Sequence, residues 1–383
     1  MITMIPKKDN KAIVLGLSGV TSLGIIRTLG EAGVTLYGIN RTGPKGSGYY
    51  SKYLMKRYYR DEGYSDSELL QLLLENDEFH GSYLFASNDL MVRFLADNGH
   101  QLREKGMFGM DSSLTGDELL NKKFIKEFAC HAGFSIPGTY SYNENNVNIY
   151  EFPVIIKPVN NVRYNKKDSK VIRNYNEFAE TFANEYGNDF YIEEYIDGDT
   201  ESLYEIYGYR TENGEISIPC MCQKLRQYPH QNGTGSYVRT IYISELVEPA
   251  KRFVEQIDLS GLFNIEVKFC RTRKIFYFIE SNFRAGAQIY LVSKSGVNIP
   301  YNFMNDFYDP LLKCRDNVYW LDLIDLKNLN KTVSLYRFIG DCMAADCYAG
   351  ISGNDPWQFI MYFLLRIKIY MQKILRQGIM RRQ

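Results

Sequence analysis

The chain has 383 residues with 45 Lys and Arg against 45 Asp and Glu, so no overall field draws it to nucleic acid. Hydrophobic residues make up 45% and charged residues 23%, the proportions of a globular protein long enough for two or three domains with cores. Seven scattered Cys and four His, with Cys220-Met-Cys222 as the close pair, supply no zinc site and read as reduced, buried thiols.

Met1 to Asn10 is polar and lacks an apolar core, so a cytoplasmic location without a secretory leader is expected. Ala12-Ile-Val-Leu-Gly16 reads as a buried strand, followed by the turn Gly16-Leu-Ser-Gly19 and a helix through Leu29. Val34 to Gly38 is the next strand, which makes a parallel α/β unit. The glycines do not match G-x-G-x-x-G and no acid follows Ile39 to hold a ribose, so dinucleotide binding is disfavoured. Gly16 and Gly19 are expected to serve turn geometry and close packing. A further unit runs from Ser82 through Ser87-Asn88-Asp89 into a helix ending near Asn98, with Asp89 as its expected cap.

Asp117 to Gly133 is expected to be one helix carrying Asn121, Lys122 and Lys123. Phe152 to Pro158 is a strand whose apolar run ends at Lys157, and the following proline holds that lysine extended. Phe190 to Ile196 is a strand breaking at Gly198, and Asn264 to Phe269 is another, with Glu266 inside it. Phe276-Tyr-Phe-Ile-Glu280-Ser-Asn282-Phe-Arg284 ends in a carboxylate, an amide and a guanidinium. Two carboxylates and an amide oxygen on neighbouring strands suit magnesium, which takes oxygen ligands and shares them with substrate phosphates. An acid followed by Asn is also ordinary turn chemistry, and a single lysine is commonly solvated. The order of the pieces favours a nucleotide triphosphate site without a Walker loop. Lys122 and Lys157 would balance phosphate, and an acidic strand would read adenine with its backbone.

These residues, above all the E-x-N-x-R of Glu280, Asn282 and Arg284, resemble the ATP-grasp superfamily over roughly residues 12 to 310. The resemblance implies a mixed α/β and α+β architecture with a Rossmann-like parallel α/β domain over 1–112 and an ATP-grasp domain over 113–312. Within the latter, α+β subdomains 113–190 and 191–312 would clamp ATP, and 313–383 would be a C-terminal extension ending in a basic helix. It assigns Lys122 and Lys157 to phosphates, Glu193, Glu194, Tyr195 and Ile196 to the adenine hinge, and Glu201 to the ribose. Glu266, Glu280 and Asn282 would hold Mg²⁺, with Mn²⁺ as the alternative, and Arg284 would meet the transferring phosphoryl group.

Many relatives carry a glycine-rich flap after the strand lysine, whereas Lys157 to Lys170 contains no Gly, so Lys170 or Arg163 would substitute for backbone contacts. The K-P-x-N start and the segment Gln223 to Arg239 resemble the D-aspartate ligase type of carboxylate–amine ligase. There Arg226, Gly233, Gly235, Ser236 and Arg239 would form the acyl and amine site, although a polar hairpin has the same composition. Arg284, Lys170 and Arg226 are then the catalytic candidates.

The implied function is ATP-dependent amide formation through an acyl phosphate, joining an amino acid such as D-aspartate to a carboxylate acceptor on a cell-wall or surface-polysaccharide precursor. The alternative is a catalytically silent nucleotide-binding regulator or scaffold at the membrane surface. The intact metal set favours the enzyme.

Trp357 to Gln383 has no acidic residue and six basic ones, with apolar residues at helical spacing. A basic amphipathic helix on the anionic inner face of the cell membrane fits this pattern. So does a helix packed on the body, or on a second subunit of a homodimer.

Overall fold

The computed structural model describes residues 9–140, 151–159, 169–182, 189–230 and 233–365. The first sheet contains β1 (Lys11–Leu15), β2 (Thr35–Ile39), β3 (Leu54–Tyr58), β4 (Tyr83–Ala86) and β5 (Phe108–Gly109), all parallel in the order β3-β2-β1-β4-β5. Ala12 to Leu15 are fully buried, which explains the uninterrupted apolar run: both faces of a parallel sheet are covered. Gly16 has φ +83°, and a Cβ there would lie 2.4 Å from the Asn88 amide nitrogen. The loop after β2 closes over this turn. Ser47 Oγ donates to Gly19 O at 2.9 Å and Gly48 N to Leu17 O at 3.1 Å. The glycines thus serve the turn and its packing. Asp89 is not the cap of the following helix Asp89–Glu104. Asn88 is, accepting from Met91 N at 3.1 Å, which leaves the Asp89 carboxylate free for a distant partner.

The second sheet contains β6 (Thr139–Tyr140), β7 (Val154–Pro158), β8 (Lys170–Ile172) and β9 (Phe190–Glu194), antiparallel in the order β6-β9-β7-β8. Val154, Ile156, Ile172 and Ile192 face a small core with Phe178. Strand alternation therefore turns Ile155, Lys157 and Glu193 to the other face. The helix expected over Asp117 to Gly133 is two helices, Gly116–Leu120 and Lys122–His131. Asn121 breaks it, because its side-chain oxygen accepts from Lys123 N and Phe124 N at 3.1 and 3.2 Å and so caps the second helix. Lys122 becomes the first helical residue, and its backbone N–H donates to Val159 O at 3.1 Å beside the end of β7.

The third sheet has seven strands: β10 (Leu203–Arg210), β11 (Ile216–Tyr228), β12 (Thr234–Ile241), β13 (Gly261–Cys270), β14 (Ile275–Asn282), β15 (Tyr319–Leu321) and β16 (Cys347–Tyr348). Their order is β14-β13-β10-β11-β12-β15-β16. The chain after Lys313 is therefore not an irregular extension, since β15 and β16 continue this sheet. It also returns to the helix after β1, where fully buried Arg27 pairs with buried Asp355 at 3.5 Å and donates to Gln358 Oε1 at 2.9 Å. The flap residues 160–168, Arg163 among them, and the basic residues from Arg366 onward lie outside the described residues.

Candidate active site

A cavity of about 200 Å³ opens between the four-stranded and seven-stranded sheets. Lys122, Lys157, Glu193, Glu194, Tyr195, Ile196, Gly233, Glu266 and Glu280 line it, so residues separated by more than a hundred positions converge there.

On the four-stranded side, Glu193 is fully buried beneath the cavity floor and holds two lysines. Lys157 Nζ lies 2.5 Å from its Oε2, and Lys126 pairs with its Oε1. Lys126 is also 3.4 Å from the Tyr191 hydroxyl and sits over that ring. Burial, with Lys122 acting in the same direction, pushes the Lys157 ammonium down to about 8. Burial, with Lys157 and Lys122 nearby, lowers Lys126 well below the ordinary lysine range. Cationic charge is in excess on this wall. Beyond Glu194, which still pairs with Val154 and whose N donates to Gly138 O at 2.7 Å, the strand pairing ends with Tyr195 N donating to Pro153 O at 3.2 Å. Tyr195 and Ile196 then leave along the cavity, with Lys268 over the Tyr195 ring at 4.6 Å.

On the seven-stranded side the excess is anionic. Register places Glu280 of β14 opposite Glu266 of β13, and Glu266 opposite Glu205 of β10, so three carboxylates form one row across adjacent strands. Like charges in direct opposition repel. Two lysines relieve the row: buried Lys224 reaches Glu205 at 3.1 Å and pairs with Glu266, while Lys122 lies 3.5 Å from Glu280. The Tyr207 hydroxyl, 2.6 Å from Glu205 Oε2 and 2.7 Å from Gln288 Oε1, supports this row from behind.

Opposed carboxylates with an all-oxygen donor set fit a hard divalent cation. No cluster of three or more His, Cys, Asp or Glu suited to a metal occurs among the described residues. A cation at Glu266 and Glu280 would therefore complete its shell with Asn282 and substrate oxygens. Asn282 stands two pairs further along, opposite Asn264, and lines a side pocket together with Glu280, Lys122 and Asp89.

Arg284 is oriented by Asp89, at the start of the helix after β4. Its Nε donates to Asp89 Oδ1 at 2.9 Å, its second terminal nitrogen is 3.1 Å from Asn282 Oδ1, and its first donates to Ala285 O at 3.1 Å. The motif arginine and the motif amide are thus locked to each other and to the helix after β4.

Several expected residues lie elsewhere. Glu201 lines a neighbouring cavity of about 240 Å³ together with Asp199 and Thr200, and of the three Asp199 and Thr200 also line the main one. Lys170 is exposed and lies between Ser169 and Val171, which do line the main cavity. Arg226 is occupied by Asp325, at 2.6 and 2.9 Å, and by Asp341 at 2.6 Å. Ser236 is fully buried and donates to Asp325 at 2.6 Å. Arg239 binds Gln223 and Asn317 at 2.8 and 3.0 Å, and Gly235 packs against Gln288. Of that segment, Gly233, Gln227 and His230 reach the main cavity. The physical reason is the added β15: its neighbourhood brings Asp325 under the loop and consumes the loop's polar groups.

Four residues of the site were not assigned to it from sequence: Lys126, Lys224, Glu205 and Asp89, the last expected to be a helix cap. Lys126 was accessible to pattern, four residues after Lys122 on one helix face, whereas a register shift between Lys224 and Arg226 breaks the alternation there.

The family model described as ATP-grasp in the biosynthetic pathway with Ter operon matches residues 210–332. A D-aspartate ligase of Enterococcus faecium (strain Aus0004) is 24% identical over 162 residues, covering 39% of this chain and 38% of that protein, so well under half of that relative is matched. Among solved structures, the L-amino acid ligase from Bacillus licheniformis superposes with a TM-score of 0.60 at 12% identity, over 80% of this chain and 78% of that one. N5-carboxyaminoimidazole synthetase from Staphylococcus aureus complexed with ADP gives a TM-score of 0.61 at 14% identity, over 80% of each chain. The chain has the ATP-grasp fold and, over part of its length, resembles D-aspartate ligase.

Proposed function

We propose that this protein is an ATP-dependent carboxylate–amine ligase in which ATP activates a substrate carboxylate. The observation that carries the reading is the convergence of Glu266 and Glu280 with Lys122 and Lys157 on one cavity. A cationic wall suits a triphosphate, and an anionic wall opposite it suits the cations that accompany a triphosphate.

In this reading a carboxylate oxygen of the first substrate attacks the γ-phosphorus in line, the bond to the β-phosphate oxygen breaks, and ADP leaves. The acyl phosphate then takes the amine nitrogen at its carbonyl carbon, the C–O bond to phosphate breaks, and the amine gives up a proton to solvent. Mg²⁺, when bound, would offset charge on the transferring group. Lys157 and Lys122 would hold phosphate oxygens, and Glu266, Glu280 and Asn282 would hold the cation. Arg284, kept in one orientation by Asp89, would meet the charge that develops on the phosphoryl oxygens. Tyr195 and Ile196 would flank the base, and Asp199 or Thr200, rather than Glu201, is the better placed partner for a ribose hydroxyl.

The partial likeness to D-aspartate ligase supports an amino acid, D-aspartate first, as one substrate, and an envelope precursor is the acceptor we propose to test. The test is ADP and phosphate release across a panel of D- and L-amino acids, with and without peptidoglycan or uronic-acid acceptors. Turnover that needs both an amine and a carboxylate is expected. Nucleotide binding without turnover on any pair would instead favour a regulator.

A further inference from the structure

The cavity of about 240 Å³ beside the main one shares a wall with it, since Asp199, Gln227 and His230 line both. Its other polar groups include Glu201, Arg226 and Arg337, the last from the chain after β15. That chain is fastened over the β11–β12 hairpin. Asn328 Nδ2 donates to Gln227 O at 3.2 Å and to Asp325 Oδ1 at 2.8 Å, and Arg226 of β11 reaches Asp341 on the helix Leu335–Ala344. Arg337 lies one turn before Asp341 on that helix, so its backbone is fixed relative to the hairpin.

Most charged groups of the cavity are already satisfied. Arg226 lies between Asp325 and Asp341, with its guanidinium 4.5 Å from the centre of the Tyr237 ring. Asp199 pairs with Arg271 at 2.9 Å and accepts from Ser202 Oγ at 3.2 Å. Glu201 and Arg337 differ. Both side chains are exposed, and neither makes a hydrogen bond or an ion pair among the described residues. Their backbones are nevertheless held, Glu201 O by Gln223 Nε2 at 2.7 Å and Arg337 N by Ser334 Oγ at 3.3 Å. One cavity therefore presents an anion and a cation that do not satisfy each other.

A third group is also left over. Gln227, in the shared wall, is 7% exposed. Its amide nitrogen donates to His230 O at 2.7 Å, while its Oε1 is shielded from water and accepts nothing among the described residues. A buried acceptor without a donor is unfavourable, and a ligand that brings an N–H to this wall would supply the missing bond. A simple anion in the cavity would meet Arg337 but face Glu201, and a simple cation would do the reverse. We infer that this second cavity binds a free α-amino acid, its carboxylate on Arg337 and its ammonium held by Glu201 and the Gln227 amide oxygen. The shared wall makes that amino acid a neighbour of whatever fills the main cavity. The inference rests to this extent on the nucleotide reading of the main cavity: the two ligands bind with linked affinities.

The test is calorimetric titration of the full chain with D- and L-aspartate, D- and L-alanine and glycine, with and without saturating AMP-PNP and Mg²⁺. Propionate and ethylamine, each with one of the two charges, are the controls. At least one amino acid should bind one to one, and both controls should bind it about tenfold more weakly or worse, the loss of a charge-assisted contact. Arg337→Gln and Glu201→Gln change exposed side chains, and each should weaken that amino acid by about tenfold while unfolding at the wild-type temperature. Saturating AMP-PNP should move the amino-acid Kd by about fivefold or more. The inference is overturned if no amino acid binds under either condition, if a control binds equally well, or if both variants bind like the wild type. An amino-acid Kd that bound AMP-PNP leaves unmoved would overturn the linkage. Failure of AMP-PNP itself to bind would remove the nucleotide reading and leave the titrations without it to decide the second cavity. In turnover, a raised KM for the amino acid at unchanged kcat in Arg337→Gln marks it as the amine substrate. An unchanged KM with lost activation by added amino acid marks it as an effector of the same site.

Discussion

The two walls of the cavity use the same residue types in opposite proportion. On the four-stranded side one buried carboxylate, Glu193, serves two lysines. On the seven-stranded side one buried lysine, Lys224, serves two carboxylates of a row of three. Each wall is internally paired enough to fold, yet each keeps an excess of one sign facing the cavity. A ligand carrying both signs, phosphates with their cations, satisfies both excesses at once. Neither wall alone would bind it well. Lys122 straddles the two, with its backbone at the end of β7 and its ammonium 3.5 Å from Glu280.

The comparison breaks most severely at Glu193. Glu193→Gln would leave Lys126 and Lys157 buried without their counter-charge, and removal of one partner from a buried pair costs about 3–5 kcal/mol. Urea unfolding should show that loss, and a midpoint within error of wild type would mean the lysines are not held as described. On the anionic wall, Glu280→Ala and, beside it, Arg284→Ala should each lower the rate of ADP formation by roughly 10²–10³, about 3–4 kcal/mol in barrier, with little change in stability. Near wild-type turnover in either variant would remove the phosphoryl-transfer reading.

The pH dependence sharpens the contrast. Lys157 has its free-state value pushed down to about 8, and a triphosphate would draw it back towards the ordinary lysine value. Nucleotide affinity is then fully present below about pH 8 and declines as pH rises through the range up to the bound-state value, by up to about tenfold per pH unit. Binding at pH 9 should take up a proton, which calorimetry in two buffers of different ionisation enthalpy will detect. For folding the sign differs. The depressed lysine opposes folding fully below about pH 8, and that opposition fades as pH rises towards the unfolded-state value.

A smaller effect is expected at Asp89. Asp89→Ala leaves Arg284 held by Asn282 and Ala285 O alone, so kcat should fall about tenfold with the KM for ATP little changed, the loss of one charge-assisted contact. A parallel rise in KM would mean that Asp89 acts on binding instead. Glu201→Ala is the smallest, a change of about twofold or less in the KM for ATP, because the side chain faces a different cavity.

The recognisable parts of the fold were those carried by local pattern. Short apolar runs marked β1, closed by Gly16, β2, with Gly38 near its end, and β4, closed by Ser87-Asn88, and the carboxylate–amide–arginine spacing after Phe276 marked the end of β14. The break at Asn121 was missed because Asn in an otherwise periodic helix has two readings, interior residue or cap, and only the position of β7 selects the second. The strands β15 and β16 were missed because three- and two-residue segments carry no measurable alternation. The segment Gln223 to Arg239 admits a polar hairpin or, by resemblance, an acyl and amine site, and β11 and β12 pair as a hairpin. Its guanidinium and hydroxyl are instead consumed by Asp325, about a hundred positions later in the chain.

By itself the sequence determined the strands near β1, β2, β4, β7, β9, β13 and β14, and that carboxylate, amide and arginine cluster at the end of the last of them. Those features follow from alternation, turn chemistry and short spacing, all local. The tertiary structure alone decided which lysine meets which carboxylate, that Asp89 orients Arg284, and that the C-terminal chain completes a sheet and anchors on Arg27. Such pairings depend on register and on which elements become neighbours. A buried lysine and a solvated one are the same letter until the fold removes the water.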